Sequence, residues 1–172
     1  MSIDLLCVNG VKCSSVASGI KNNNSLDLSL ISLIDGTNTA AVFTQNIFCA
    51  APVLVAKNHL NSNIQALLIN SGNANAGTGK KGLEDSFKSC EIIAEELNIK
   101  PEQVLPFSTG VIGQLLPVES IEKNANKLVN SLTEDGLGNV AKGILTTDLV
   151  EKYCSVSFKV DGVKVNLSGV AK

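Results

Sequence analysis

Residues 106–113 read Pro-Phe-Ser-Thr-Gly-Val-Ile-Gly and follow the strand-like run Gln103-Val104-Leu105. A small hydroxyl-bearing turn where a strand should hand over to a helix is a place to receive a developing negative charge. The Thr109 hydroxyl and the backbone N–H of Gly110 can point the same way in such a turn, because glycine neither shields its amide nor restricts its φ. Two donors about 3 Å from a carbonyl oxygen form an oxyanion hole, the group that stabilises a tetrahedral intermediate in acyl transfer. The plainer reading of the same octapeptide is a loop whose threonine caps the next helix.

A second glycine-bearing stretch points elsewhere. Gly77-Thr78-Gly79-Lys80-Lys81-Gly82 has the spacing G-x-G-x-x-G, lies after a strand and opens a helix, as a dinucleotide fingerprint does. Its first glycine comes seven residues after Asn70, late for a tight turn that delivers a helix N-terminus to a pyrophosphate. No strand ending in an acid follows at the expected distance, and Thr78 occupies the place of a Walker lysine. A non-catalytic nucleotide- or small-molecule-binding module using residues 72–82 therefore stands as the alternative. Asn70, Asn73 and Asn75 read as turn formers that accept left-handed backbone or fix the loop by side-chain bonds, with a wall of an active site as their functional option.

Further segments bear on the choice. Residues 41–53, Ala-Val-Phe-Thr-Gln-Asn-Ile-Phe-Cys-Ala-Ala-Pro-Val, residues 70–79, Asn-Ser-Gly-Asn-Ala-Asn-Ala-Gly-Thr-Gly, and Thr146-Thr147-Asp148 stand in order with the octapeptide. Together they resemble the signatures of the ornithine acetyltransferase family, also called glutamate N-acetyltransferase. The resemblance starts near Val16-Ala17-Ser18-Gly19-Ile20-Lys21 and runs to Lys172, nearly the whole chain. It implies an enzyme of arginine biosynthesis that moves acetyl from N-acetylornithine to glutamate, in some members also from acetyl-CoA, with no bound cofactor or metal. Members are made as precursors that cut themselves before a threonine, the nucleophile. The chain then resembles the α fragment, a single domain over 1–172 ending just before that threonine. Its partner would be the β chain of the same precursor in an (αβ)2 heterotetramer, and its fold a layered α-β-β-α sandwich of the DmpA/ornithine-acetyltransferase type.

The chemistry this implies is ping-pong. A threonine at a new chain N-terminus has its own α-amino group as base, with a pKa near ~8. Attack on N-acetylornithine gives an oxyanion facing Thr109 and Gly110; collapse leaves an acetyl-enzyme, from which glutamate takes the acetyl group. Two substrate contacts carry over from the resemblance: Thr146, first of the Thr-Thr-Asp, and Lys172 of Gly169-Val170-Ala171-Lys172. A lysine suits the α-carboxylate common to both amino acids. Where members read Thr-Thr-Asp-Thr-x-Pro-Lys, this chain has Thr146-Thr147-Asp148-Leu149-Val150-Glu151-Lys152. Leu149 loses a hydroxyl, and Glu151 adds a charge and loosens the backbone.

The elements that must position these residues are set by periodicity. Leu26 to Ile34 alternates by two, as a strand with one buried face does, and Ala40-Ala41-Val42-Phe43 and Ile64 to Ile69 are further short apolar runs, the second suited to burial on both faces. From Leu83 the period becomes helical through Phe87, Cys90, Ala94 and Leu97, with Glu84 and Asp85 near the start to complement the dipole. Pro117 at an N1-like position opens a second helix with the stripe Val118, Ile121, Ala125, Leu128 and Leu132. Glycines 136, 138 and 143 punctuate the next stretch of chain. Ser155 to Val160 and Val163 to Leu167 then alternate about Asp161-Gly162, the pair a type I′ hairpin prefers. Antiparallel strands with two long helices make the fold class α+β.

Composition narrows the partners. The chain has 172 residues, 44% of them hydrophobic and 3% aromatic with no Trp, enough for one domain with an aliphatic core. A net charge of −2 without basic clusters beyond Lys80-Lys81 offers no footprint for nucleic acid or an anionic membrane. Small free substrates fit better. Five cysteines without Cys-x-x-Cys spacing, and His59 as the one histidine, argue against zinc or a disulfide framework. Cys49 and Cys90, among apolar neighbours, read as core residues in a reducing cytosol. Met1-Ser2-Ile3-Asp4-Leu5-Leu6 has no basic flank and too short an apolar run for a signal peptide, so the expected location is cytoplasmic.

Overall fold

The computed structural model describes residues 5–172; Met1 to Asp4 of the N-terminal stretch lie outside the described residues. Strands β1 (Val11–Val16), β2 (Leu28–Leu33), β3 (Ala66–Asn73) and β4 (Val104–Val111) form one sheet in that order. The β1–β2 and β2–β3 pairs are antiparallel, and β3–β4 is parallel. Helix α1 (Ala51–His59) precedes β3, and α2 (Gly79–Leu97) makes the crossover that a parallel pair requires. Helices α3 (Val118–Asn130) and α4 (Leu137–Gly143) come next, then the hairpin β5 (Lys152–Val160) and β6 (Val163–Ala171). No helix among the described residues is long and apolar enough to cross a membrane.

Strand alternation divides the core between the sheet's two faces. Val16, Leu28, Leu30, Ala66, Leu68 and Val104 point to one side and pack with Cys90 and Ile93 of α2 and Ile121, Ala125 and Leu128 of α3. Cys13, Ile31 and Ile69 point to the other side, where Val140 and Ile144 pack with Val170 of the hairpin. Burying a side chain such as Leu28, Leu30 or Leu128 completely is worth roughly 1.5–3 kcal/mol each. Helices α2 and α3 on one face, with α4 and a second sheet beginning on the other, make the fold a layered α+β sandwich.

Both long helices follow their stripes, with shifted starts. α2 begins at Gly79, so Glu84 and Asp85 fall past its first turn, which holds no acid. They instead pair with Lys80 (3.7 Å) and Lys81 one turn back. The helix closes on Asn98 in a left-handed conformation (φ 54°), with its N–H bonded to the Ala94 and Glu95 carbonyls. Pro117 is the residue before α3 rather than its first, and Glu119 and Lys127 suit the helix ends. In the hairpin, Asp161 (φ 49°) and Gly162 (φ 81°) both take the positive φ of a type I′ turn.

Three expectations are corrected. Residues 40–43 form no strand but an irregular loop, with Val42 fully exposed, because the chain there runs outside the sheet toward α1. The segment around Thr109 is no strand-to-helix turn: β4 continues through it to Val111, because pairing with β3 outweighs the turn preference of Ser-Thr-Gly. Cys49 is half-buried in that loop, its thiol bonded to the Asn46 carbonyl (2.7 Å), whereas Cys13 and Cys90 are the buried thiols. Burial pushes these two up to about 11 and about 12. His59 is also buried, donating from Nδ1 to the Val104 carbonyl (2.8 Å) and so tying α1 to β4.

Candidate functional site

The parallel pairing of β3 and β4 sets Ser71 opposite Thr109 and Gly72 opposite Gly110, with a bulge at Gly72 and Asn73. The contact is too close for side chains. A Cβ on Gly110, whose φ is +142°, would lie 2.2 Å from the Gly72 carbonyl carbon and 2.5 Å from the Asn73 nitrogen. Glycine is therefore required at 110 by the neighbouring backbone as well as by φ. Bonds between the loops that leave the two strands hold the end of the pair: Ala74 N–H to Val111 (2.9 Å) and Gly113 N–H to Ala76 (2.8 Å).

The asparagines lock the same loop, as their turn chemistry suggests. Asn70 Nδ2 donates to the Asn73 carbonyl (2.8 Å), and Asn73 Nδ2 reaches the Gln114 (3.2 Å) and Leu115 (3.0 Å) carbonyls. Asn75, left-handed at φ 44° and fully buried, accepts from Thr78 Oγ1 (2.9 Å) and donates to the Gly82 carbonyl (2.8 Å). The G-x-G-x-x-G spacing has a packing explanation here. Gly79 and Gly82 belong to α2, and a Cβ on Gly82 would meet Thr78 Oγ1 at 1.8 Å.

Thr109 stands apart from this saturated network, because its hydroxyl oxygen is buried and has no hydrogen-bond partner. A capping threonine would be bonded to backbone, and the next helix starts only at Val118. A buried hydroxyl without a protein partner costs about 1–3 kcal/mol, as the Thr39 and Ser86 hydroxyls also do, and of these only Thr109 stands beside Gly110. Thr109 and Phe107 also line a cavity of about 300 Å³ closed by Phe43, Pro52, Val53 and Ala56. Residues of the 41–53 segment thus meet β4, and α1 and its preceding loop, neither legible as site elements, form the wall.

Lys172 lies at the end of β6 and turns back to α4. Its ammonium donates to the Ile144 carbonyl and to Thr146 Oγ1 (3.1 Å), so the structure brings Thr146 and Lys172 together. Burial holds the Lys172 ammonium below the ordinary lysine range, the Lys21 charge pushes it further the same way, and Asp148 opposes both. Asp148 is itself held by Lys152 (2.7 Å), which draws its carboxyl below the ordinary range. Of the departing residues, Leu149 is fully exposed, and the Lys172–Thr146 contact forms despite it.

The two pairs meet at the end of β3. On one side, Gly72 abuts Gly110. On the other, Ser71 Oγ donates to the Gly143 carbonyl (2.5 Å), one residue before the Ile144 carbonyl that Lys172 uses. The Thr109-Gly110 end of β4 and the chain around Lys172 are thus linked through one dipeptide, Ser71-Gly72.

Known proteins resemble this chain over nearly its whole length. The ArgJ family matches residues 12–172. The arginine biosynthesis bifunctional protein ArgJ of Methylococcus capsulatus is 44% identical over 170 residues, covering 99% of this chain and 42% of that protein. The protein of the same name from Pseudomonas syringae pv. tomato is 41% identical over 96% of this chain and 41% of its own length. The chain thus spans well under half the length of these curated relatives. Among solved structures, the Bacillus halodurans arginine biosynthesis bifunctional protein argJ superposes with a TM-score of 0.88 at 35% identity, covering 95% of this chain and 86% of that one. Mycobacterium tuberculosis ornithine acetyltransferase, solved in complex with ornithine, gives 0.89 at 31% identity, covering 95% and 88%.

Proposed function

The chain belongs to the ArgJ family, and from that premise we propose that it is the part of an acetyltransferase that supplies the oxyanion hole and two substrate contacts. The reaction is acetyl transfer from N-acetylornithine to glutamate in arginine biosynthesis, with acetyl-CoA as a second candidate donor. The nucleophile is a threonine at the N-terminus of a β chain cut from the same precursor, and the assembly is an (αβ)2 heterotetramer in the cytoplasm.

The steps balance without a cofactor. The threonine's α-amino group takes the hydroxyl proton as its oxygen attacks the acetyl carbonyl, and the carbonyl electron pair moves to oxygen. The Thr109 hydroxyl and Gly110 N–H receive that oxyanion. Collapse re-forms the carbonyl, breaks the C–N bond and returns the proton to the leaving amine of ornithine. Glutamate's amine then attacks the acetyl-threonine ester and gives its proton to the threonine α-amino group; the same oxyanion collapses, the ester C–O bond breaks, the proton passes back to the threonine oxygen, and N-acetylglutamate leaves. Lys172 and Thr146 hold the carboxylate that both amino acids share.

The observation that carries this reading is the Thr109 hydroxyl, buried and unpartnered beside a glycine that nothing else can replace. An incoming oxyanion can take that hydroxyl without breaking a protein hydrogen bond. In the assembled enzyme, Thr109→Ala should lower kcat by ~10²–10³ with little change in KM, as loss of single oxyanion donors does elsewhere. Thermal stability should hardly move, since no bond is lost, and Thr109→Ser should retain most activity. An unchanged kcat in the alanine variant would refute the role.

A further inference from the structure

Lys21 ends the Val16 to Lys21 segment and has no part in the reaction so far. Its place is fixed by buried bonds. The Asp27 carboxylate is fully buried and accepts from Ser18 N–H (2.6 Å), Ser18 Oγ (2.8 Å) and Lys21 N–H (2.8 Å), which folds residues 18–21 into a fixed loop. The Asp27 carbonyl accepts from Ser71 N–H (2.8 Å), so the same residue ties that loop to the end of β3. Lys21 is thereby laid across Gly72: a Cβ there would meet Lys21 Cγ at 3.0 Å and Ile20 Cγ2 at 3.2 Å. Gly72 in turn backs on Gly110.

The Lys21 ammonium, half-buried, donates to the Leu26 carbonyl (3.0 Å) and forms no ion pair within 4 Å among the described residues. Lys172 likewise has none among them. Lys21 therefore lies with its stem over Gly72 and its ammonium on the Leu26 carbonyl, while the Lys172 ammonium holds the Ile144 carbonyl, one residue beyond the Gly143 that Ser71 engages. Like charges at one site favour an anion between them, and the carboxylates nearby are already engaged, Asp27 by Ser18 and the Lys21 N–H and Asp148 by Lys152.

We propose that Lys21 is a second cationic contact of the amino-acid site, sharing with Lys172 the substrate α-carboxylate. This rests on the acetyl-transfer reading above, and it makes the carboxylate site a two-lysine clamp. Lys172 and Thr146 approach from α4 and β6, while Lys21 approaches from the loop that Asp27 fixes. Proximity of the two charges is also expressed in their proton affinities. Lys21 is lowered by burial against the opposing pull of Asp27, and the Lys21 charge adds to the burial that lowers Lys172. The charged groups facing the pair are Asp27 on the Lys21 side and Asp148, engaged by Lys152, on the Lys172 side.

The test uses the assembled enzyme and the variants Lys21→Met, Lys21→Arg and Lys172→Met. Methionine keeps the stem that lies on Gly72 and leaves the backbone N–H bond to Asp27 intact. Lys21→Met should raise KM for N-acetylornithine and for glutamate together, by about tenfold each, with kcat near wild type, as loss of one charge-assisted contact predicts. Lys21→Arg should recover most of this. The pH profile should move too, since without Lys21 the Lys172 ammonium loses a like-charged neighbour and the alkaline rise in KM shifts to higher pH; the joint rise in KM at neutral pH and its rescue by arginine separate a substrate contact from a neighbouring charge. Unchanged KM values in Lys21→Met, or an alkaline limb that stays put, overturn the proposal. If Lys172→Met raises both KM values and Lys21→Met neither, the acetyl-transfer reading stands and the clamp falls; if neither lysine matters, both fall.

Discussion

Residues at this site divide into those bonded to saturation and those left free. Asn70, Asn73 and Asn75 use their amides on neighbouring backbone, whereas the Thr109 hydroxyl is buried without a partner. Lys172 belongs to a third kind, bonded but depressed in basicity by burial and by Lys21. That depression sets the sign of its pH effect. A lysine lowered below its ordinary value loses its charge at a lower pH than a free lysine does. Carboxylate binding should therefore be at full strength below that lowered value and weaken above it. KM for both amino-acid substrates should climb with alkaline pH, and Lys172→Met should be ten- to a hundredfold higher in KM with a shallower climb over the same range, the part that remains being that of Lys21. Steady-state kinetics over pH 7 to ~10.5, the ordinary lysine value, checks both claims. Little of this residue's role is physically legible in the sequence. Lys172 and Thr146 are far apart along the chain, and without the fold only the family resemblance pairs them. The Lys21 role is not legible at all, because its signal lies in the Asp27 bonds that hold the preceding loop.

Among the elements, those with strong internal periodicity are legible and those defined by their neighbours are not. α2 and α3 show their stripes, and the hairpin announces itself by Asp161-Gly162 between alternating runs. α1 does not, because its buried Ala51, Pro52, Val55, Ala56 and His59 are mostly small or polar. The end of β4 misleads for the opposite reason: Ser108-Thr109-Gly110 has turn chemistry, and only the neighbouring β3 makes it a strand. The loop 17–27 depends on a single buried residue in the same way. Asp27→Ala removes three bonds to a carboxylate and leaves the N–H groups of Ser18 and Lys21 without acceptors. That should cost about 3 kcal/mol, or a fall in Tm of roughly 6–12 °C for a chain of this size. Asp27→Asn keeps one acceptor oxygen and should lose less. Calorimetry of the two variants decides it, and an unchanged Tm in Asp27→Ala would show that the carboxylate bonds contribute nothing.

Across the whole molecule, packing is uneven. The four-stranded sheet is covered by α2 and α3, while nearly every residue of β5 is exposed, including Val156, Phe158 and Val160. A two-stranded sheet is marginal by itself. Hydrogen exchange should therefore find the amides of 152–171 opening far more readily than those of Leu68 or Val104 in this chain alone. In the assembled enzyme they should become protected, and equal exchange in both states would exclude this surface from the proposed α–β contact.

Parallel pairing of β3 and β4 also bears on time rather than on structure. β1 and β2 can pair across the loop 17–27, but Gly72 meets Gly110 only after the chain has made its excursion through α2. Closing so long a segment sacrifices chain entropy before the ladder returns any free energy. The two-glycine contact therefore belongs late in folding, and pulse-labelled exchange during refolding should find β4 protected after β1 and β2, with simultaneous protection refuting that order. A chain halted part way would already have its helices and first ladder. It would lack only the strand end that carries Thr109 and Gly110.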